Sequence, residues 1–422
     1  MFKYVDYYQE YGRIMQFNKN KKEPIHRWYP FVEGYSKEFI KSIIDEVNIK
    51  DLVCLEPFSG SGTTSLELQH NNIPCYSFEI NPLMYIIAKV KLENDYDLNK
   101  VELWHDFIQT NRAVINTDLK TVFSTLYEGD NKEKWNYDKA VGLAVQKLKT
   151  SISLVKEEKY KNLFFVVLSS ILLDVSNLYR NGKCLSYKKN WNEINLSEAD
   201  VFKKFDDKMD KEIKIDIQSI KKSKQNNIDI LFNEDSRVGI ETKVPDNSID
   251  LVITSPPYLN SRDYTDTYML ELKTLGLTST YEEVRNLREK TLRSHVQIKW
   301  EDNENINNKT LESTLKLLKD CSGDKKIWNS SILDMVRLYF VDMKKIFHVL
   351  YKKVKFGGRI YFNVSNSAYF NVMINTLEIC AEIAESERFK VVEIRKARKL
   401  KPSPQQKEQI ENLLEGVIVM EK

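Results

Sequence analysis

The chain has 422 residues, enough for one large domain with insertions or for two domains, and its 42% hydrophobic and 30% charged composition excludes a disordered polymer. No apolar run reaches the roughly 18 residues that a membrane-spanning helix needs, and the opening MFKYVDYYQEYGR lacks the apolar core of a signal peptide, so a cytoplasmic protein without membrane contact is expected. The formal charge of +3 is too mild to indicate nucleic acid by itself, so any such surface must come from local clustering of Lys and Arg.

In chain order, LVCLE at 52–56 is a short apolar run that ends in a Gly-rich turn, followed by a helical pattern over about 63–71 and a second apolar run, PCYSFEI, at 74–80. Asn81 suits a cap and Pro82 the first turn of a further helix running to Val90. Strand, turn, helix, strand, helix predicts an α/β fold with a doubly wound parallel sheet. Residues 101–226 hold amphipathic helical patterns and a charged stretch without strand alternation, so they read as a mostly helical insertion. The sheet resumes at 228–232 (IDILF) and 249–254 (SIDLVIT). A charged interruption follows at about 276–326. Then come a long helix over about 328–353, a KFGG turn, a strand at 359–364, a helix near 369–386 and strands near 389–396 and 416–421. The expected division is 1–100 and 227–422 as two parts of one domain, separated by 101–226.

Residues 55–64 read LEPFSGSGTT. Glycines at the end of a parallel strand let backbone approach a ligand, and Glu79, 17 positions after Gly62, ends the next strand, where a carboxylate can accept from both ribose hydroxyls. The pair fits a nucleoside-containing cofactor. No Lys follows Gly62, which disfavours a phosphate-binding P-loop, and Ser65 stands where a dinucleotide fingerprint needs Gly or Ala.

TSPPY at 254–258 directly follows the strand IDLVI. Two prolines cannot continue a central strand, so the chain must leave the sheet at its C-terminal edge, where open parallel sheets bind ligands. Ser255 and the Pro256 carbonyl offer two acceptors for one amino group, with Pro257 stiffening the loop. Tyr258 offers an aromatic face for a base taken out of a duplex. A rigid Pro-Pro turn with no chemistry is the competing reading.

Together these segments resemble the amino-methyltransferases of DNA, which make N4-methylcytosine or N6-methyladenine. EPFSGSGTT resembles their cofactor motif, FEINP the segment with the ribose-binding acid, PDNSIDLVITSPPY their catalytic segment, and FGGRIYFNVSNS and EGVIVMEK later strands. HRWYPFVEGYSKEFIKSII resembles the helix motif that flanks the cofactor. The resemblance covers about 24–92, 228–275 and 328–422. It implies a Rossmann-like fold dependent on S-adenosylmethionine. Glu56, Phe58, Gly60, Gly62 and Thr63 would line the methionine side, Glu79 would hold the ribose, Asp235 the adenine amino group, and Tyr35 would flank the carboxylate. Ser255, Pro256, Pro257 and Tyr258 would form the catalytic loop. SPPY is commoner among the cytosine-N4 members. The motif order implies a target-recognition region in 101–226, double-stranded DNA as partner and a cognate restriction endonuclease as companion. Arg285, Arg288, Lys290, Arg293, Lys299 and Trp300, in the second interruption, suit phosphate and base contacts.

Three other readings stand beside this one: an adenine-N6 enzyme, an RNA guanosine amino-methyltransferase, and a catalytically inactive DNA-binding protein. Methylation at cytosine carbon-5 would need a cysteine nucleophile. Pro74-Cys75 opens the second strand, where burial is expected, and direct transfer to an amino group needs no covalent intermediate. The five cysteines, Cys54, Cys75, Cys184, Cys321 and Cys380, show no CxxC spacing, so neither a metal site nor a disulfide framework is expected.

Overall fold

The computed structural model describes residues 1–422 except 131, 183, 221–222, 261–262, 323–330, 404–405 and 407–408. Its centre is an eight-stranded, mostly parallel sheet in a mixed α/β arrangement. The strands, in chain order, are β1 (Tyr4–Asp6), β2 (Cys54–Glu56), β3 (Cys75–Phe78), β4 (Leu178–Asn181), β5 (Cys184–Tyr187), β6 (Leu231–Phe232), β7 (Ile249–Thr254), β8 (Val354–Ser365), β9 (Ser367–Tyr369), β10 (Val372–Ile374), β11 (Lys390–Leu400) and β12 (Leu413–Glu421). The sheet order is β1-β11-β12-β8-β7-β2-β3-β6. β2, β3, β6, β7 and β8 run parallel, while β12 lies antiparallel to both β8 and β11. From β2 the chain builds outward through β3 to β6, then returns to build the other way through β7 to β8. The reversal leaves a crevice beyond the carboxyl ends of β2 and β7.

Several local expectations need correction. The insertion contains a hairpin, β4 with β5, turned through Gly182 at φ +60°; strands of four residues are too short to show an alternation. IDILF is mostly a 3-10 turn over Asn227–Ile230, and only Leu231–Phe232 pair, with β3. The helix expected near 369–386 begins later, at Thr376, because β9 and β10 form a hairpin first. Phe370 and Asn371 both take positive φ at its tip (53° and 61°), the twist a two-residue hairpin turn requires. The amino-terminal Tyr4–Asp6 adds an edge strand beside β11. The long helix spans Ile332–Lys353; the expected residues 328–330 lie outside the described residues.

The insertion is mainly helical, with Leu98–Val114, Lys139–Ser153, Glu158–Val175 and Glu198–Lys208 as its longest helices. Its apolar faces share one continuous cluster with Trp28, Tyr29, the helix Pro82–Leu92 and the helix Met269–Leu275. A second cluster, on β7, β8 and the helix Ile332–Lys353, covers one face of the sheet, and a third, with the helix Lys37–Val47, covers the other. No helix among the described residues is long and apolar enough to cross a membrane.

Candidate active site

A cavity of about 940 Å³ opens at the carboxyl ends of β2, β3, β7 and β8. That size suits a nucleoside cofactor together with a second planar group. Of the sequence-predicted residues, Tyr35, Phe58, Gly60, Thr63, Glu79 and Asp235 line it on the β2–β3 side, and Ser255, Pro256, Pro257 and Tyr258 line it on the β7 side.

Glu56 and Gly62 do not line the cavity. Glu56 is 1% exposed and lies beneath the floor, where its carboxylate accepts from Thr254 Oγ1 (2.5 Å), Tyr35 Oη (2.8 Å), Thr64 Oγ1 (2.9 Å) and the Phe58 N–H (3.0 Å). Burial pushes its pKa up to about 7 against the pull of those donors. It therefore knots together the ends of β2 and β7, the first helix turn and the amino-terminal motif. Gly62 sits at φ +83°, and a Cβ there would meet the Ala88 Cβ at 2.9 Å. Its place is the contact between the helices Thr63–His70 and Pro82–Leu92. Gly60 differs: at φ +52°, a Cβ would press on the Phe31 ring, which itself lines the cavity.

Glu79 leaves β3 and folds over the Gly-rich turn. Its carboxylate accepts from the Gly60 N–H (2.7 Å) and the Asn81 N–H (2.8 Å), and burial raises its pKa to about 7. Asp235 caps the helix Ser236–Lys243 by accepting from the Arg237 N–H at 2.9 Å, and its carboxylate is also gripped by the Arg237 guanidinium. Arg237 reaches on to the buried Asp342 at 2.9 Å.

The TSPPY loop leaves β7 as the prolines require. Tyr258 is half-buried, with its hydroxyl turned inward, where it donates to Glu415 Oε1 (2.6 Å) and accepts from Asn363 Nδ2 (2.6 Å). Burial, and then Glu415, hold its pKa well above 10. Asn363 Nδ2 also reaches Ser255 Oγ at 3.3 Å. Cys75 is fully buried in β3, where burial pushes its thiol up to about 12, a poor state for a nucleophile.

No family model matches the chain. Among proteins of known function, it is 25% identical to the Type II methyltransferase M.BsoBI of Geobacillus stearothermophilus, over 90% of this chain and 82% of that protein. It is also 25% identical to the Type II methyltransferase M.AvaI of Nostoc sp., with the same coverage of each. Both similarities run over 90% of this chain, and both are to proteins named Type II methyltransferases. A shorter similarity, 23% identity over 58% of this chain and 55% of that protein, connects it to M.MvaI of Kocuria varians.

The chain also brings to the cavity residues that sequence reasoning missed. Phe31 stands over Gly60 and lies parallel to Tyr268, with centroids 6.1 Å apart. Asn363, Arg398 and Glu415 come from β8, β11 and β12. Asn363 and Glu415 stand out in sequence only as polar side chains in apolar stretches of β8 and β12, and Arg398 lies in a strand already rich in charge, where nothing marks it.

The structure separates the basic residues of 276–326. Arg293 is 5% exposed and bound to Asp342 and Asp302, and Arg288 is bound to Asp263 and Asp266. Both are spent on internal ion pairs, so the expectation that they contact phosphate is corrected. Lys290 is exposed and lines the cavity, as do Lys21 and Lys401 from other segments.

Proposed function

We propose that this protein methylates the exocyclic amino group of a flipped base in double-stranded DNA, with cytosine N4 as the target, using S-adenosylmethionine on a Rossmann-like fold. The observation that carries the reading is the meeting of the FSGSG turn and the TSPPY loop at one cavity, their parent strands β2 and β7 joined by the Thr254–Glu56 hydrogen bond. The residues present fit the cofactor. Gly60 lets the Phe31 ring close over the turn where a Cβ would clash with it, Glu79 presents a carboxylate, and the buried Ser59 Oγ in the cavity wall has no hydrogen-bond partner among the described residues.

When bound, S-adenosylmethionine supplies an electrophilic methyl group on a sulfonium. Phe58, Gly60, Thr63 and Tyr35 shape the methionine side, Glu79 accepts from the ribose, and the loop at Asp235 borders the adenine. Ser255 Oγ and the Pro256 carbonyl accept hydrogen bonds from the target amino group and direct its lone pair. The partly exposed ring of Tyr258 supports the base by stacking, since its hydroxyl is engaged elsewhere. A serine at position 255 is the feature that favours cytosine. Lys21, Lys290 and Lys401 supply phosphate contacts at the cavity, and the insertion 101–226 carries target recognition. The companion in the cell is a restriction endonuclease of the same specificity.

The test is sequencing of DNA from a host expressing the chain, by a method that distinguishes N4-methylcytosine from N6-methyladenine. The expected result is N4-methylcytosine at one recurring short sequence. N6-methyladenine would move the reading to adenine, and unmodified DNA would refute it.

A further inference from the structure

The hydroxyl of Tyr258 is the hub of a polar network that crosses three neighbouring strands. Arg398 on β11 donates through Nε to Glu415 Oε2, and the two residues are cross-strand partners in the β11–β12 register. Glu415 on β12 is 1% exposed, and its other oxygen accepts from Tyr258 Oη at 2.6 Å. Asn363 on β8 is 2% exposed, and its Nδ2 lies 2.6 Å from Tyr258 Oη, 3.3 Å from Ser255 Oγ and 3.5 Å from Glu415 Oε1. Ser255 Oγ lies 3.4 Å from Tyr258 Oη. A carboxylate this deep in a sheet is costly unless its lone pairs are used, and here both oxygens are. One end of the network is the guanidinium of Arg398; the other is the pair of side chains on the TSPPY loop.

We infer that Glu415, held by Arg398, and Asn363 are positioning residues that fix the ring of Tyr258 and the hydroxyl of Ser255 against the target base. The inference rests on the reading given under Proposed function and adds three residues to it. A tyrosine hydroxyl that donates to a carboxylate and accepts from an amide has both its hydrogen-bonding roles taken. The hydroxyl therefore acts as a tether, and the ring face remains for the base. Asn363 links the two loop side chains: the N–H groups of one amide locate Ser255 Oγ and Tyr258 Oη together. Preorganisation of this kind speeds the chemical step, because the acceptors need no rearrangement when the amino group arrives. It leaves cofactor affinity almost untouched, since Glu415, Asn363 and Arg398 lie on the β8–β11–β12 side of the cavity, away from Gly60 and Glu79.

The test is a double-mutant cycle on the full chain with Glu415→Ala, Tyr258→Phe and the pair, read by single-turnover methyl transfer to unmethylated DNA and by calorimetric cofactor affinity. Each single variant is expected to slow transfer at least tenfold with cofactor affinity within about twofold of the unaltered protein. The pair should be no more than about twofold slower than the worse single variant, because both changes cut the same tether. Glu415→Gln keeps an acceptor for Tyr258 and should recover most of the rate. Losses that multiply in the pair, or a Glu415→Ala protein that transfers at the unaltered rate, would overturn the inference. A crystal structure of Glu415→Ala gives an independent reading: the Tyr258 ring should leave its position, and an unmoved ring would overturn the inference as well. If instead the function itself is misread, the unaltered protein labels no DNA, while the crystal structure still decides whether Glu415 holds the ring.

Discussion

The carboxylate of Asp216, on the last helix of the insertion, accepts a hydrogen bond from the backbone N–H of Ile25 at 2.9 Å, across 191 positions of sequence. The same carboxylate, 1% exposed, binds the Arg27 guanidinium at 2.5 Å and the Trp28 indole N–H at 2.8 Å. Ile25 takes φ +66°, a conformation a β-branched residue adopts only when its surroundings impose it. The insertion thus clamps the start of the segment that carries Phe31 and Tyr35 into the cavity. Asp216→Ala should cost about 1.5–3 kcal/mol or more of stability, the range for hydrogen bonds to a charged group. It should also weaken cofactor binding from a distance. Thermal unfolding and calorimetry on the same sample check both. A variant with unchanged melting temperature would show that the clamp is not needed.

The pH response follows from Glu56. Its pKa in the folded protein is about 7, above its ordinary 4.5, so between those values the folded state holds a proton that the unfolded state has released. This contribution to stability is complete below pH 4.5 and is lost as the pH rises toward 7 and beyond. Glu56→Gln keeps the shape and removes the titration, so its melting temperature should fall less between pH 5 and 8 than that of the unaltered protein. Parallel curves for the two proteins would mean that Glu56 is not protonated in that range. Glu79, also near 7, faces the cavity, and binding a cationic cofactor favours its charged form. Affinity should therefore strengthen as pH rises through 7, and Glu79→Gln should flatten the trend.

The two glycines of the FSGSG turn separate by consequence. Gly62→Ala forces a methyl group against Ala88 at a positive φ, so it should destabilise the fold by about 1–3 kcal/mol. Gly60→Ala is also strained, at φ +52°, but its methyl group presses on the end of the Phe31 ring, which can turn, so it should lower the melting temperature less than Gly62→Ala and weaken cofactor binding more. The reverse pattern would exchange their roles.

The strands that position the cavity were legible because their signals are local. The apolar run at 249–254, ended by two prolines, coincides with β7, and Asn81 caps its helix by accepting from the Leu83 N–H at 3.0 Å. What escaped is what depends on partners far away in sequence. Nothing within ten residues of Glu415 shows that it will meet Tyr258, 157 positions earlier. A basic stretch reads alike whether its arginines face phosphates or, as with Arg288 and Arg293, buried aspartates. The resemblance implied Glu56 as a cofactor contact, yet it lies buried below the floor of the cavity.

The basic residues can be sorted by experiment. Arg293→Ala should unfold or strongly destabilise the protein, since it leaves the fully buried Asp342 with one fewer cation, a loss of about 3–5 kcal/mol. Lys21→Ala, Lys290→Ala and Lys401→Ala should leave the melting temperature unchanged. Each should weaken DNA binding and reduce the magnitude of the salt slope by about one. If the three together leave affinity and slope intact, DNA does not approach over these lysines.

The central claim is that the TSPPY loop presents a DNA base to a methyl donor, and single-turnover transfer of labelled methyl from S-adenosylmethionine tests it most directly. Unmethylated duplex DNA and RNA are offered separately to the unaltered protein and to Ser255→Ala and Tyr258→Ala. The account predicts label in DNA alone, with both variants folded, cofactor binding retained, and transfer slowed, most severely by Tyr258→Ala, where stacking worth about 1–3 kcal/mol is lost. Label in RNA, or a stable Tyr258→Ala protein that methylates DNA at the unaltered rate, would contradict it.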